Sequence, residues 1–510
     1  MDCGIAGVYL KKPLSEYPEG GAAFYMYLML TSLQHRGQQT AGFASFHPQR
    51  EYSKLDVHKG FGLVNEVFRA MDRSSFRQLM QKYQGAAAIG HVRYATSGLQ
   101  NGQEARWLEE AQPFHRRHSN KRKHFALVWN GNLANHKELR QELEASGDYE
   151  MDTPADTEVL MHYISLGIKD EIEGANQGKR LLDIGKVLKN TTTAFDGSYS
   201  IGMLDVGGTL VAFRDPHAFM PLCWGENENV VAFASETKAL NKVGIYKHCY
   251  IAGGEYLTID MKQNVRRGQF AEATPTPCFF QWMYFAHPMS TIDSLNVEDF
   301  RTSIGKELAR LEPQKHALNP KEWVILPIPE TSTPIGDAMA SSLGVPCVHA
   351  LVKDSSVRAF IEREEQRSHI LATKYNIDPR LINNKNLIVV DDSIVRGDTS
   401  LKLIKYIRNA AQPKSIHFRS ACPPIVSPCF YGVDFPTLRE LAAPQHAQDR
   451  LEEELARRLE VDSLRYLPLT SLTRILRECE KEGACKACLT REYPTPAGTK
   501  RLEEILTDSG

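Results

Sequence analysis

LIVVDDSIVRGDTSLKLIKYIR, residues 387–408, is the stretch on which the fold turns. An apolar run rich in Ile and Val ends in Asp391 and Asp392, a short turn containing Gly397 follows, and helical spacing begins near Thr399. A carboxylate pair at the C-terminal edge of a buried strand can hold sugar hydroxyls, directly or through a metal. The turn and the start of the helix offer backbone N–H groups to a phosphate. The same residues also describe a plainer object, a strand with a solvated acidic end and a Thr helix cap.

The flanks extend the pattern. WVILPIP, VPCVHALV and SIHFRSAC are apolar runs separated by helical segments, as a parallel sheet covered on both faces requires. Farther downstream, QDRLEEELARRLEVDSLRYLPLTSLTRILRECEKEG reads as a charged helical surface. Upstream, residues 3–260 change character. AGFASF, AAAIGHVRY, HFALVWNG, YSIGMLDV, TLVAF, NVVAFAS and EYLTI read as strands, with helices at AAFYMYLMLTSLQH and at DTEVLMHYISLGI (156–168). Many antiparallel strands with helices outside them make an α+β sandwich. QFAEATPTPCFF, carrying Pro275 and Pro277, reads as the linker between the two patterns.

A chain of 510 residues exceeds one hydrophobic core, and its length suits two large domains plus an appendage. Hydrophobic content of 42% with 24% charged residues is that of an ordinary globular protein. A net charge of -1 points away from nucleic acid, anionic membranes and strongly acidic partners. No apolar run nears the roughly 20 residues of a membrane span. The N-terminus lacks the basic and apolar regions of a signal peptide, so the expected compartment is the cytoplasm. The 10 cysteines then read as thiols or metal ligands rather than disulfides.

Cys3 opens the first strand, in MDCGIAGVYL. A terminal α-amine has a pKa near 8, so a cysteine at the chain terminus can give its thiol proton to its own amine and attack as thiolate. This role requires cleavage of the Asp2–Cys3 bond. The alternative is a buried cysteine on a first strand.

The 387–408 segment resembles the phosphoribosyl pyrophosphate (PRPP) signature of type I phosphoribosyltransferases, and DDSIVRG resembles the version found in the amidophosphoribosyltransferase family. The N-terminal half is similar to a class II glutaminase. QHRGQQTAG (34–42), GHVRYATSG (90–98), WNGNLAN (129–135) and ADTEVL (155–160) match four of its motifs in order, behind Cys3. LPIPETSTPI (326–335), VKDSSVRAFIEREEQR (352–367) and CPPIVSPCFYGVD (422–434) continue the match through the second half.

The resemblance implies an α+β N-terminal-nucleophile (class II glutaminase) sandwich followed by an α/β type I phosphoribosyltransferase domain. The expected limits are 3–265 for the amidotransferase domain after a Met-Asp propeptide, 266–450 for the phosphoribosyltransferase domain, and 451–510 for a helical segment with cluster-ligand cysteines. It implies that Cys3 is the nucleophile and that Asn130 and Gly131 hold the oxyanion. Arg93 and Asp156 would bind the α-carboxylate and α-ammonium of glutamine, with Arg36 ordering the site. On the PRPP side, Lys353 would meet the pyrophosphate, and Asp391 and Asp392 the ribose hydroxyls and Mg²⁺. Ser393, Arg396, Gly397, Thr399 and Ser400 would surround the 5′-phosphate.

The pair Cys485 and Cys488, by itself, leaves open a redox pair, half a zinc site and chance. The resemblance adds Cys278 and Cys429, four thiolates that suit a 4Fe-4S cluster or tetrahedral zinc, and it favours iron–sulfur. Cys223, Cys249, Cys347, Cys422 and Cys479 read as ordinary buried thiols. A homotetramer inhibited by purine nucleotides is a further expectation from the family.

Departures from the family pattern concentrate around the expected interface of the two active sites. RDPHAFMPL has Met220 for Arg, YFAHPMS has His287 and Met289 for Arg and Asp, and Trp129 stands where His is usual. The 352–361 loop lacks several polar positions, leaving Arg358 as its best basic candidate, and Asp398 follows Gly397 where Thr is usual. Two other readings follow from these departures. One is a paralogue aminating a different phosphoribosyl-type acceptor; the other is a PRPP or nucleotide sensor without catalysis.

Overall fold

A computed structural model of the chain describes residues 3–94, 108–174, 182–313, 315–316, 318–353, 375–435 and 437–508. The first half is built on two antiparallel sheets. Seven strands run in the order Cys249–Tyr250, Cys223–Glu226, Val230–Ala234, Gly4–Leu10, Ala87–Arg93, Thr40–Phe46, Leu55–Phe61. Six run in the order Val265–Gln269, Glu255–Ile259, Leu210–Arg214, Gly197–Asp205, Phe125–Leu133, Phe114–Arg116.

Side-chain alternation sorts each strand between two cores. In Gly4–Leu10, Ala6, Val8 and Leu10 face outward to the helix Ala22–Ser32, whereas Ile5 and Tyr9 face the space between the sheets. In Phe125–Leu133, Phe125, Leu127 and Trp129 pack outward against Asp156–Gly174 and Ile184–Thr192, while Ala126 and Val128 point inward. The same count sends Cys3 and Asn130 inward from opposite sheets. Helices outside two facing sheets complete the expected sandwich.

The second half contains four parallel strands in the order Trp323–Pro327, Asn386–Asp391, Ser415–Ser420, Ser463–Tyr466. Both faces are buried. Ile388 and Val390 pack toward the helices Val297–Leu311 and Thr333–Leu343, and Leu387 and Val389 toward Asp398–Ala411. The strand Asn386–Asp391 thus delivers its acidic end to the sheet's C-terminal edge, where α/β sheets bind ligands.

Three expectations change. The charged stretch after residue 448 is not one helix. It holds Leu451–Arg458, the sheet strand Ser463–Tyr466, and Leu469–Glu478, and Leu455, Leu472 and Leu476 are buried in the cores. The parallel sheet therefore continues past 450, as the first sandwich continues past 265 through the strand Val265–Gln269. VPCVHALV does not form a full sheet strand: Cys347 makes a single bridge to Ile325, and Leu351–Lys353 pairs instead with Tyr375–Ile377. Among the described residues, no helix is long and apolar enough to cross a membrane.

Candidate active site

Cys3 sits where the two sheets meet. It is 4% exposed, and its backbone N donates to Asn130 Oδ1 at 3.0 Å. This contact orients the Asn130 amide beside the sulfur-bearing residue. The next residue, Gly131, takes φ +154, and a Cβ there would run into the Ser198 carbonyl, so the position demands glycine.

Arg36 grips the same residue from the other side. Its Nε donates to the Cys3 carbonyl at 3.1 Å, Nη1 to Glu236 at 2.6 Å, and Nη2 to Gln281 Oε1 at 2.8 Å. Glu236 in turn accepts from Ser290 Oγ at 2.6 Å and from the His287 N–H at 3.0 Å. Burial alone would raise the Glu236 carboxyl, yet His35 and Arg36 hold it well below the usual carboxylate range. Arg36 thus grips the Cys3 backbone through its Nε while its two terminal nitrogens are held by Glu236 and Gln281. Met220, the departure in RDPHAFMPL, joins this network as acceptor of Gln281 Nε2 at 3.3 Å.

Arg93 lies at the end of a strand next to Cys3's own, with Gly4 opposite Val92, and meets the Glu110 carboxylate at 3.3 Å. Asp156 begins the helix Asp156–Gly174. Burial pushes its carboxyl up, against the pull of His136, the Thr157 N–H and Arg93. Residues 95–98 of the GHVRYATSG motif lie outside the described residues.

A cavity of about 710 Å³ lies over the phosphate turn and reaches the first half at Arg36, the residue that holds the Cys3 carbonyl. His35, Arg36 and Tyr94 line one side; Lys353, Asp391, Asp392, Ser393, Arg396, Gly397, Thr399 and Ser400 line the other. Gly397 has φ +84 and caps Asp398–Ala411 without a side chain, so the first-turn N–H groups have no side-chain cap at that position. The plainer reading with a Thr cap thus gives way. Asp398 does not point its charge at a ligand here, because its carboxylate pairs with Arg458 at 3.0 Å. Arg396 pairs with Glu440 at 3.1 Å. Arg358 lies outside the described residues, as does the rest of 354–367.

Several contributors carried no sequence signal. Glu236 and Gln281 follow ordinary apolar runs, and their partners lie 200 and 245 residues away. Arg301, only 1% exposed, lines the cavity and donates to the carbonyls of Trp282, Tyr284 and Ala286. Burial lowers its pKa to about 10, although Asp392 favours the cation.

The four cysteines converge from three segments. Cys278 and Cys485 form a backbone bridge, and the Cys488 carbonyl accepts from Val426 and Ser427, near Cys429. Burial raises the Cys488 thiol well above its usual range, reinforced by Cys429, Cys278, Cys422 and Cys485. Burial likewise raises Cys485 to about 12. Of the remaining thiols, Cys223 and Cys422 are buried as expected, but Cys249 is exposed and Cys347 and Cys479 are only partly covered.

Comparison with known proteins agrees with this two-part site. Residues 105–242 match a glutamine amidotransferase domain and 296–422 a phosphoribosyl transferase. The amidophosphoribosyltransferase of Archaeoglobus fulgidus is 33% identical, over 98% of this chain and 100% of its own length. That of Haemophilus influenzae is 34% identical, over 99% and 95%. The chain belongs to the amidophosphoribosyltransferase family. Within that family, glutamine PRPP amidotransferase from B. subtilis, solved with ADP and GMP, superposes with a TM-score of 0.79 at 30% identity, covering 97% of this chain and 98% of its own. The order of the two matches, glutamine amidotransferase before phosphoribosyl transferase, is the order of the antiparallel sandwich and the parallel sheet described above.

Proposed function

We propose that the protein makes 5-phosphoribosylamine from glutamine and PRPP, the first step of purine synthesis, with Cys3 as nucleophile. The single observation carrying this reading is the shared cavity: the arginine holding Cys3 and the Asp391–Ser400 turn line the same space. With a free α-amine on Cys3, the amine takes the thiol proton and the thiolate attacks the glutamine amide carbon. Asn130 and the Gly131 N–H stabilise the tetrahedral oxyanion. Its collapse releases ammonia and leaves a thioester, which water hydrolyses to glutamate. Arg93 and Asp156 hold the ends of glutamine.

Ammonia crosses the cavity and attacks C1 of PRPP as pyrophosphate departs. Asp391 and Asp392 meet the ribose hydroxyls, Lys353 the pyrophosphate, and Ser393, Arg396, Gly397, Thr399 and Ser400 the 5′-phosphate. Asp391 and Asp392 would also hold Mg²⁺, which neutralises the leaving pyrophosphate when bound. Cys278, Cys429, Cys485 and Cys488 are assigned to a 4Fe-4S cluster in a structural role, supported by the convergence of their three segments through the Cys278–Cys485 bridge and the Cys488 carbonyl. A cytoplasmic homotetramer inhibited by purine nucleotides completes the proposal. It rests on the family and, for the nucleotides, on the ADP and GMP in the B. subtilis structure.

One observation favours a second reading. His287 stands where the family has Arg, and burial, Lys238 and His35 push its pKa down to about 4, leaving it neutral at pH 7. A pocket poorer in cations fits a different phosphoribosyl-type acceptor. Anaerobic turnover with and without PRPP and Mg²⁺, counting glutamate and pyrophosphate together, separates the two. Matched release supports the amidophosphoribosyltransferase reaction. Glutamate without pyrophosphate would overturn it in favour of another acceptor.

A further inference from the structure

Away from the cavity, on the far side of the parallel sheet's first strand, three unlike ligand groups converge. Asp337 projects from the helix Thr333–Leu343, whose Ile335, Met339 and Ala340 are buried against the core. Cys347 and His349 lie two residues apart on the extended segment that follows, so their side chains leave on the same face. That segment is pinned to the sheet edge: Ile325 N donates to the Pro346 carbonyl and Val348 N to the Ile325 carbonyl, both at 2.9 Å. His349 Nε2 is 3.2 Å from Asp337 Oδ1, and the three ligand atoms lie within 4.8 Å of one another. None of the three lines the cavity described above.

We propose that Asp337, Cys347 and His349 form a binding site for a divalent cation of the zinc class, with solvent or an exogenous ligand in the fourth position. Sulfur, imidazole and carboxylate together are the donor set of borderline-soft ions rather than of Mg²⁺ or Ca²⁺. Bonds of about 2.0–2.3 Å in a tetrahedron need ligand atoms about 3.3–3.8 Å apart, so closure from the present spread is a matter of side-chain rotation. Two of the ligands are about half exposed, which gives the ion an entry path. On binding, the Cys347 thiol proton passes to solvent and the sulfur becomes a thiolate ligand.

The arrangement argues against a nucleophilic thiol. In a cysteine nucleophile the imidazole stands between sulfur and carboxylate, whereas here the Asp337 carboxylate contacts both partners. An ion at this position would tie the helix Thr333–Leu343 to the segment leading into Lys353.

The test is an anaerobic Co²⁺ titration of full-length protein with its iron content measured beforehand, followed by displacement with Zn²⁺. The sulfur-to-cobalt absorption band reports thiolate ligation. The expected result is one Co²⁺ equivalent in the wild type that is absent from Cys347→Ser. The apparent Kd should rise by at least about a hundredfold in His349→Gln and Asp337→Asn. Glutamate release should be unchanged in all three. The exposed His349→Gln decides the matter should Cys347→Ser fold poorly. Equal cobalt stoichiometry and affinity in wild type and His349→Gln would overturn the proposal.

Discussion

At the glutaminase end, Arg36 and Glu236 meet at 2.6 Å with both side chains at 0% exposure; at the phosphate end, Arg396–Glu440 stands 53% and 47% exposed, and Arg458–Asp398 33% and 63%. A sealed pair stripped of one partner leaves an uncompensated buried charge, a cost of about 3–5 kcal/mol, whereas an exposed pair contributes about 0–1 kcal/mol. The nucleophile is thus fixed before substrate arrives, and the acceptor turn is held by contacts that exchange cheaply with water. The departures from the family do not divide as cleanly: Asp398 falls at the second end, whereas Met220 and His287 touch the Gln281 and Glu236 partners of Arg36, and the Cys3–Asn130–Arg36 contacts remain intact.

The largest effect should come from Cys3→Ala. Glutamine-dependent glutamate release should fall by a factor on the order of 10⁶, as for loss of other covalent nucleophiles, with ammonia-dependent pyrophosphate release retained. Loss of both would mean that the two ends are not separable in this way. Asn130→Ala should lower kcat for glutamine hydrolysis by about 10²–10³ and leave the ammonia-dependent reaction untouched. Arg36→Met should destabilise the fold by about 3–5 kcal/mol in urea unfolding, with part of the loss recovered when Glu236→Gln removes the stranded charge. An unchanged unfolding midpoint would break the contrast between the two ends.

Acid should act on both halves alike. Burial would raise Glu158, but His162 at 3.7 Å and hydrogen bonds from Thr153 and the Asp152 N–H outweigh it, and Arg310 leads the partners of Glu307, so both carboxyls sit at about 2 against an ordinary 4.5. Folded-state values below the unfolded ones mean stability that is fully present above pH 4.5 and lost as pH falls toward 2. Glu158→Gln and Glu307→Gln should each flatten that slope in urea midpoints taken across the range. The smallest effect belongs to Asp398→Asn: less than about 1 kcal/mol in stability, with little change in KM for PRPP. A large gain in PRPP affinity would show that Asp398 does face the phosphate.

The legible parts of the molecule were those whose chemistry needs neighbours in sequence. Asn130 and Gly131 share one motif, and the Asp391–Ser400 turn is continuous, so residue type and order suffice. Arg36 was legible as a motif residue that orders the site, but its partners Glu236 and Gln281 were not, because they reach it only through the packing of the two halves. Asp398 stood out as a departure, yet Arg458, the partner that turns its charge aside, is 60 residues away. The strand Ser463–Tyr466 lies between two charged amphipathic helices and owes its form to parallel pairing with Ser415–Ser420, which local propensity does not encode.

The central claim is that the two ends of one cavity act as a single device. Turnover of glutamine labelled with ¹⁵N at the amide, in the presence of PRPP, Mg²⁺ and excess unlabelled ammonium, tests it most directly. The account predicts that trapped phosphoribosylamine carries the amide label undiluted while pyrophosphate matches glutamate. Product diluted to the composition of the bulk ammonium would contradict it, because nitrogen would then reach C1 from solvent rather than across the cavity.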